Sequence, residues 1–158
     1  MIAVSPLNVL MAGFLSLMAS VVDGRERDDS ARNVVAVQHA FGQWKEGKGT
    51  VFDLLAPDAK WTVAGESPDS GIYTSREDLI ERAVAPITAR LATPIEPTIK
   101  HIVAEGDQVV VLWDGRARAL DGSDYVNSYA WYLSFNREGQ VHEVIAYLDT
   151  WRLDRLMR

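Results

Sequence analysis

At 158 residues, 47% apolar and 24% charged, the chain has the length and composition of one globular domain with one core. A formal net charge of −6, and no Lys/Arg cluster following an aromatic stripe, argue against a protein that tracks nucleic-acid phosphates. With no Cys, disulfides and thiolate sites are excluded, and His39, His101 and His142 lack metal-ligand spacing, so neither a metal nor an organic cofactor is expected.

Segment 1–27 reads as an apolar extension and 28–158 as the domain. The apolar run from Val9 to Val22 falls short of the about 20 residues of a membrane span, so no integral span is expected. No Lys or Arg precedes the run and no A-x-A site follows it, which points to a cytoplasmic protein, with export through a signal segment as the alternative. A docked extension and a start placed too early are the other readings.

Asp29 or Ser30 is a plausible N-cap for a helix in which Val34, Val37, Phe41 and Trp44 form one stripe and Gly47 ends the run. His39 lies nearly opposite that stripe and reads as solvated. Thr50 is expected to cap a short second helix, VFDLLA, before Pro57-Asp58 turns the chain into a strand holding Trp61 and Val63. GESPDSGIY has turn composition, and Ser75 with Asp78 resembles a capping box opening a third helix, with Leu79, Ile80, Ala83 and Val84 on its buried side. Pro86 should break or kink that helix near Ala85. The strand TIKHIVA follows, then a turn, EGDQ, and a meander from Val109 to Thr150. Helices, one strand, a helix and a run of four strands make an α+β domain with an antiparallel sheet.

Alternation in the meander places Tyr125, Asn127, Tyr129 and Trp131 on one face, and His142, Val144, Ala146 and Leu148 on one face of the last strand. Neither strand has a purely polar side, so one face should be covered by helices and the other should form a dimer contact or a cavity wall. Ala130, Tyr132, Ile145 and Tyr147 form the second apolar face, which predicts a homodimer. Asp114 and Arg116 are two charges at i, i+2 spacing inside an otherwise apolar strand. On a regular strand they share a face and could act as acid/base and oxygen holder, with Asn127 or Tyr129 donating to the same oxygen. The bland reading is a strand edge or a bulge at Gly115, where both reach water or are thrown onto different faces.

The stretches WTVAGESPDSGIYTSRED, EGDQVVVLW, YVNSYAWYLSF and VHEVIAYLDT together resemble the SnoaL-like and ketosteroid-isomerase-like branch of the nuclear transport factor 2-like superfamily, over about residues 30–152. The resemblance implies a cone: a curved antiparallel sheet wrapped around N-terminal helices, enclosing an apolar cavity, often in a homodimer. It would place Tyr125, Asn127, Tyr129, Trp131, Val144, Ala146 and Leu148 on the cavity face, with Asp114 and Arg116 beside them and Trp61 and Val63 near the mouth. The family's catalytic positions are not kept: the isomerase base falls at Val63, the protonated Asp at Trp131 and the Tyr near His39 or Ala40, while the acid/base Asp of the cyclases falls at Ala146. Asp149 matches an Asp common in the family, but alternation sets it opposite Leu148 and Ala146, as a structural anchor. Two functions follow as expectations. One is a cofactor-free isomerase, cyclase or epoxide-hydrolase-type enzyme acting on a small hydrophobic polyketide, terpenoid or steroid-like compound; the other is a non-catalytic binding or dimerisation domain.

Overall fold

A computed structural model describes residues 29–158, so the readings placed on segment 1–27, an export signal among them, lie outside the described residues. Among the described residues no helix is long and apolar enough to cross a membrane.

Helix α1 covers residues 29–45 and buries Val37, Ala40 and Phe41, the stripe its spacing requires. It stops where Gly47, at φ 69°, donates to Trp44 O and Lys48 donates to Gln43 O, the paired bonds of a Schellman end that L side chains disfavour. The Ser30 hydroxyl ties its start to Gly106 O at 3.0 Å.

The expected second helix is instead one 3-10 turn, Val51–Leu54, closed by Asp53 accepting from Thr50 N–H at 2.8 Å. Strand β1 (Leu55–Val63) starts at once and runs through Pro57. A register shift between Leu55 and Lys60 leaves Pro57 off the ladder, which a residue without an N–H requires. The turn-like loop contains a short strand, β2 (Gly71–Tyr73).

Ser75 then caps α2 (Arg76–Leu79), its hydroxyl accepting from Asp78 N–H at 3.0 Å. Of the break or kink expected near Ala85, the break does not occur, and the helix is instead irregular there. A π-helical stretch, Ile80–Val84, leads into α3 (Ala85–Thr88) with Ala85 N–H reaching back to Ile80 O, so the path widens where proline withdraws a donor. Strands β3 (Glu96–Glu105), β4 (Gln108–Arg118), β5 (Asp124–Phe135) and β6 (Val141–Leu148) follow. Pro97 lies inside β3, which tolerates it as an edge strand. Helix α4 (Thr150–Met157), absent from the sequence reading, closes the chain with Asp149 as N-cap.

The curved six-stranded sheet has the order β2-β1-β6-β5-β4-β3. Every pairing is antiparallel except β1 with β6, a parallel contact between distant parts of the chain. Its inner face carries Val109, Val111, Trp113, Trp131, Leu133, Val144 and Ala146, all buried in one core cluster with Val37 and Phe41 of α1. A shift after Ser134 places His142 outside, away from Val144 and Ala146, whose face alternation had assigned it. His39 and His101 are also exposed.

Candidate functional site

An aromatic lattice fills one end of the inner face. Trp113 and Tyr129, opposite each other on β4 and β5, stack at 4.0 Å and 7°; Trp131 meets Trp113 edge-on at 4.7 Å and Trp61 at 4.9 Å. Phe41 of α1 meets Trp113 edge-on at 5.4 Å. Such tilted and stacked pairs add about 0.5–1.5 kcal/mol each beyond area burial, so this wall is rigid. Gly115 makes the stack possible: a Cβ there would lie 3.0 Å from Trp113 Cζ3 and 3.2 Å from Tyr129 Cε2.

Beside the lattice a cavity of about 390 Å³ stays open between the sheet, the α2–α3 segment and α4. Trp61, Val63, Tyr125, Tyr129, Trp131, Ala146 and Leu148, singled out in the sequence, all line it. Asn127 and Val144 are buried behind the wall, 1% and 0% exposed. None of the lining side chains is a carboxylate, an imidazole, a lysine or an arginine.

The cavity's polar side-chain groups include Thr50, Thr88, the Trp113 indole N–H, which is buried without a partner, and a pair of phenols. The Tyr125 and Tyr129 hydroxyls are 3.0 Å apart, and Asn127 Nδ2 donates to Tyr125 Oη at 3.2 Å. Asn127 is itself fixed: Nδ2 donates to Asp149 O at 3.0 Å, and Oδ1 accepts from Asp149 N–H at 3.1 Å and Ser128 N–H at 2.8 Å. Burial holds the Tyr129 hydroxyl well above the usual phenol range, with Tyr125 adding to the push. Burial also raises Tyr125, against the opposing hydrogen bonds from Tyr129 and Asn127. Both phenols are therefore neutral donors at physiological pH. Their mutual bond uses one of the two hydroxyl hydrogens, whichever way it points. The other has no acceptor among the described residues and is available to a ligand oxygen.

Asp114 and Arg116 are not in the cavity. The β4–β5 register runs unbroken, aligning Gly115 with Asn127 on the inner face and Asp114 with Ser128 on the outer one. No bulge forms at Gly115, and both charges stay on one face, the outer. There Asp114 bridges Lys100 at 3.0 Å and accepts from Ser128 Oγ at 2.8 Å, contacts that hold its carboxyl below the usual range. The pair is part of the outer sheet surface and does not line the cavity. Asp149 caps α4, accepting from Trp151 and Arg152 N–H, the anchor role expected of it.

Parts of the site escaped the sequence reading, Phe52, Leu91 and Ile95 among them. Trp113 was legible only as the inward alternate of Asp114, once the facing of either was known. Leu79, Ala83 and Val84 were read as helix core rather than cavity wall, and Leu153 comes from the unforeseen α4. Among the described residues no cluster of three His, Asp or Glu could hold a metal.

The profile of the SnoaL-like domain family matches residues 36–144. No curated protein matches the chain. Among solved structures, Bal32a from a soil-derived mobile gene cassette is 17% identical, with 82% of this chain and 99% of that one covered at a TM-score of 0.69. A protein from Jannaschia sp. CCS1, named as a candidate SnoaL-like polyketide cyclase, is 16% identical over 81% and 92% of the two chains, with a TM-score of 0.64. TerC, co-crystallised with polyporic acid, is 18% identical over 80% and 98%, with a TM-score of 0.62. At these identities the likeness shows the fold.

Proposed function

The chain belongs to the SnoaL-like domain family, and from that premise we propose that its cavity holds a flat, mostly apolar small molecule whose carbonyl oxygen accepts the spare hydrogen of the Tyr125–Tyr129 pair. The observation that carries this reading is that pair itself, two neutral phenols in a wall of aromatic and aliphatic surface whose other side-chain hydroxyls are those of Thr50 and Thr88, the latter spent on Val84 O. Such a wall favours a planar apolar body, and the spare phenol hydrogen, with the unpartnered Trp113 indole N–H in the same wall, fixes its orientation. TerC, a relative in fold, was co-crystallised with polyporic acid, which supports a ligand of this general kind by analogy alone.

Retention of a ligand is favoured over acid/base turnover, because no lining side chain can accept a proton near neutral pH. A second reading, a cofactor-free isomerase or cyclase for a polyketide, terpenoid or steroid-like carbonyl compound, has the donor pair in its favour. A phenol aimed at a carbonyl stabilises an enolate-like oxygen, and a substrate that supplies its own base would need nothing more.

Native mass spectrometry of the protein from its own host tests the pocket: a retained apolar compound supports it, and ligand-free chains that also refuse ketone probes oppose it. Incubation with the retained compound separates the readings, since unchanged ligand means binding and a product of equal mass means isomerisation or ring closure.

We infer also that the outer sheet face pairs two copies. Val103, Val110, Tyr132 and Ile145 form one cross-strand row, and Leu112, Ala130 and Tyr147 a second, with Val103 55% and Tyr147 54% exposed. Light scattering at micromolar concentration that finds monomer alone would refute the pairing.

A further inference from the structure

On the far side of Tyr125 from the cavity lies a second recess, of about 500 Å³, with a different chemistry. Arg152 and Arg155 of α4, Arg158 at its C-cap, and Arg90, just after α3, converge on it across the β4–β5 connection. Four guanidiniums meeting in a chain of net charge −6 call for a reason.

We propose that this groove binds the oxyanion of a small molecule, a carboxylate or a phosphate, at a site distinct from the apolar cavity. The groove also holds two acids, of which Asp124 is paired and Asp121 keeps its charge without a cationic partner among the described residues, so the arginines must outweigh it. Asp121 accepts from Ser123 N–H at 2.8 Å and Ser123 Oγ at 2.6 Å, and Asp124 bridges Arg118 at 3.1 Å. Two of the arginines are engaged as well: Arg152 faces Asp149 at 3.3 Å and Arg158 faces Asp154 at 2.7 Å. Arg90 and Arg155 have no carboxylate partner among the described residues. The Arg155 guanidinium lies 5.0 Å over the Trp151 ring, a contact that occupies its face and leaves its N–H edge for an acceptor.

The frame is also set in advance. Arg90 O accepts from Leu120 N–H at 2.9 Å, and Leu91 bridges Ala119, so the Arg90 backbone is fixed against the same connection that lines the groove. Planar guanidiniums from two directions suit the paired oxygens of an oxyanion. The carboxyl end of the α4 dipole opposes an anion, so the arginine side chains must carry the attraction. Arg90 and Leu91, and Arg152 and Leu153, each send the first side chain to the groove and the second to the cavity, with Tyr125 as a common wall.

The test is an NMR titration of the full chain with inorganic phosphate, on wild type and on the Arg90→Gln/Arg155→Gln variant, whose changes are exposed and leave the core intact. Saturable shifts centred on residues 119–126 and α4 are expected, with affinity about tenfold or more weaker in the variant. No saturable binding, or equal affinity in the two proteins, overturns the proposal. The phosphate readout does not depend on the cavity, so it stands or falls apart from the cavity reading. A matched pair of probes, 1-indanone and an indanone carboxylic acid, then identifies the source of the oxyanion. A carboxylate advantage lost in the variant assigns it to the cavity ligand, whereas phosphate binding without that advantage assigns it to a separate small molecule.

Discussion

The phenol pair makes a quantitative prediction. In Tyr129→Phe the Tyr125 hydroxyl still accepts from Asn127 and is released to donate to the ligand; in Tyr125→Phe the Tyr129 hydroxyl is released in the same way. Each single variant therefore keeps one phenol donor in the cavity, and the Trp113 indole N–H is untouched in all of them. Only the double variant, Tyr125→Phe/Tyr129→Phe, removes both phenols. A neutral hydrogen bond is worth about 0.5–1.5 kcal/mol net, which corresponds to roughly 2- to 12-fold in affinity. The preference for 1-indanone over indane, two probes of similar shape of which one has an oxygen, should fall by that factor in the double variant and by less in either single one. Trp44, Trp61, Trp113 and Trp131 all line the cavity, so intrinsic fluorescence reads occupancy directly. Thermal melts control for folding, since Tyr125→Phe leaves Asn127 Nδ2 only Asp149 O and costs about 1 kcal/mol. A ketone preference equal in wild type and double variant would refute the assignment of the pair as the ligand donor.

Gly115→Ala should destabilise by about 1–3 kcal/mol through overpacking, lowering Tm by roughly 2–12 °C, and should weaken the near-ultraviolet signal of the Trp113–Tyr129 stack. Asn127→Leu strips partners from Tyr125 Oη, Asp149 N and O, and Ser128 N at once and should cost about 3 kcal/mol or more by chemical denaturation. Lys100 and Ser128 hold the Asp114 carboxyl below its ordinary 3.8, so its charged form contributes stability above that pH and loses the contribution as pH falls through the depressed folded value. Asp114→Asn should accordingly flatten the acid limb of the Tm profile, where pH falls below the ordinary carboxylate value, while leaving indanone binding unchanged; loss of binding would return Asp114 to the site.

Much of this architecture is written in local pattern. Alternation along 125–135 placed Tyr125, Asn127, Tyr129 and Trp131 on one face, and they are on one face. The 3.6-residue stripe of α1 and the Ser75–Asp78 cap are of the same kind, because each depends on residues within a turn or two of each other. The family resemblance added the cone and the cavity. What local pattern lacked was the choice between faces. Asp114 and Arg116 alternate with Trp113 and Gly115, and alternation divides four residues into two sets without saying which set looks inward. That choice is made by the hydrogen-bond register aligning Gly115 with Asn127, a relation between strands twelve residues apart. The parallel β1–β6 contact, the bulge that turns His142 outward and the arginine groove drawn from residues 90, 119–126 and 152–158 have the same origin. Period and capping act along the chain and are legible there; facing and convergence act across it, and only the folded sheet decides them.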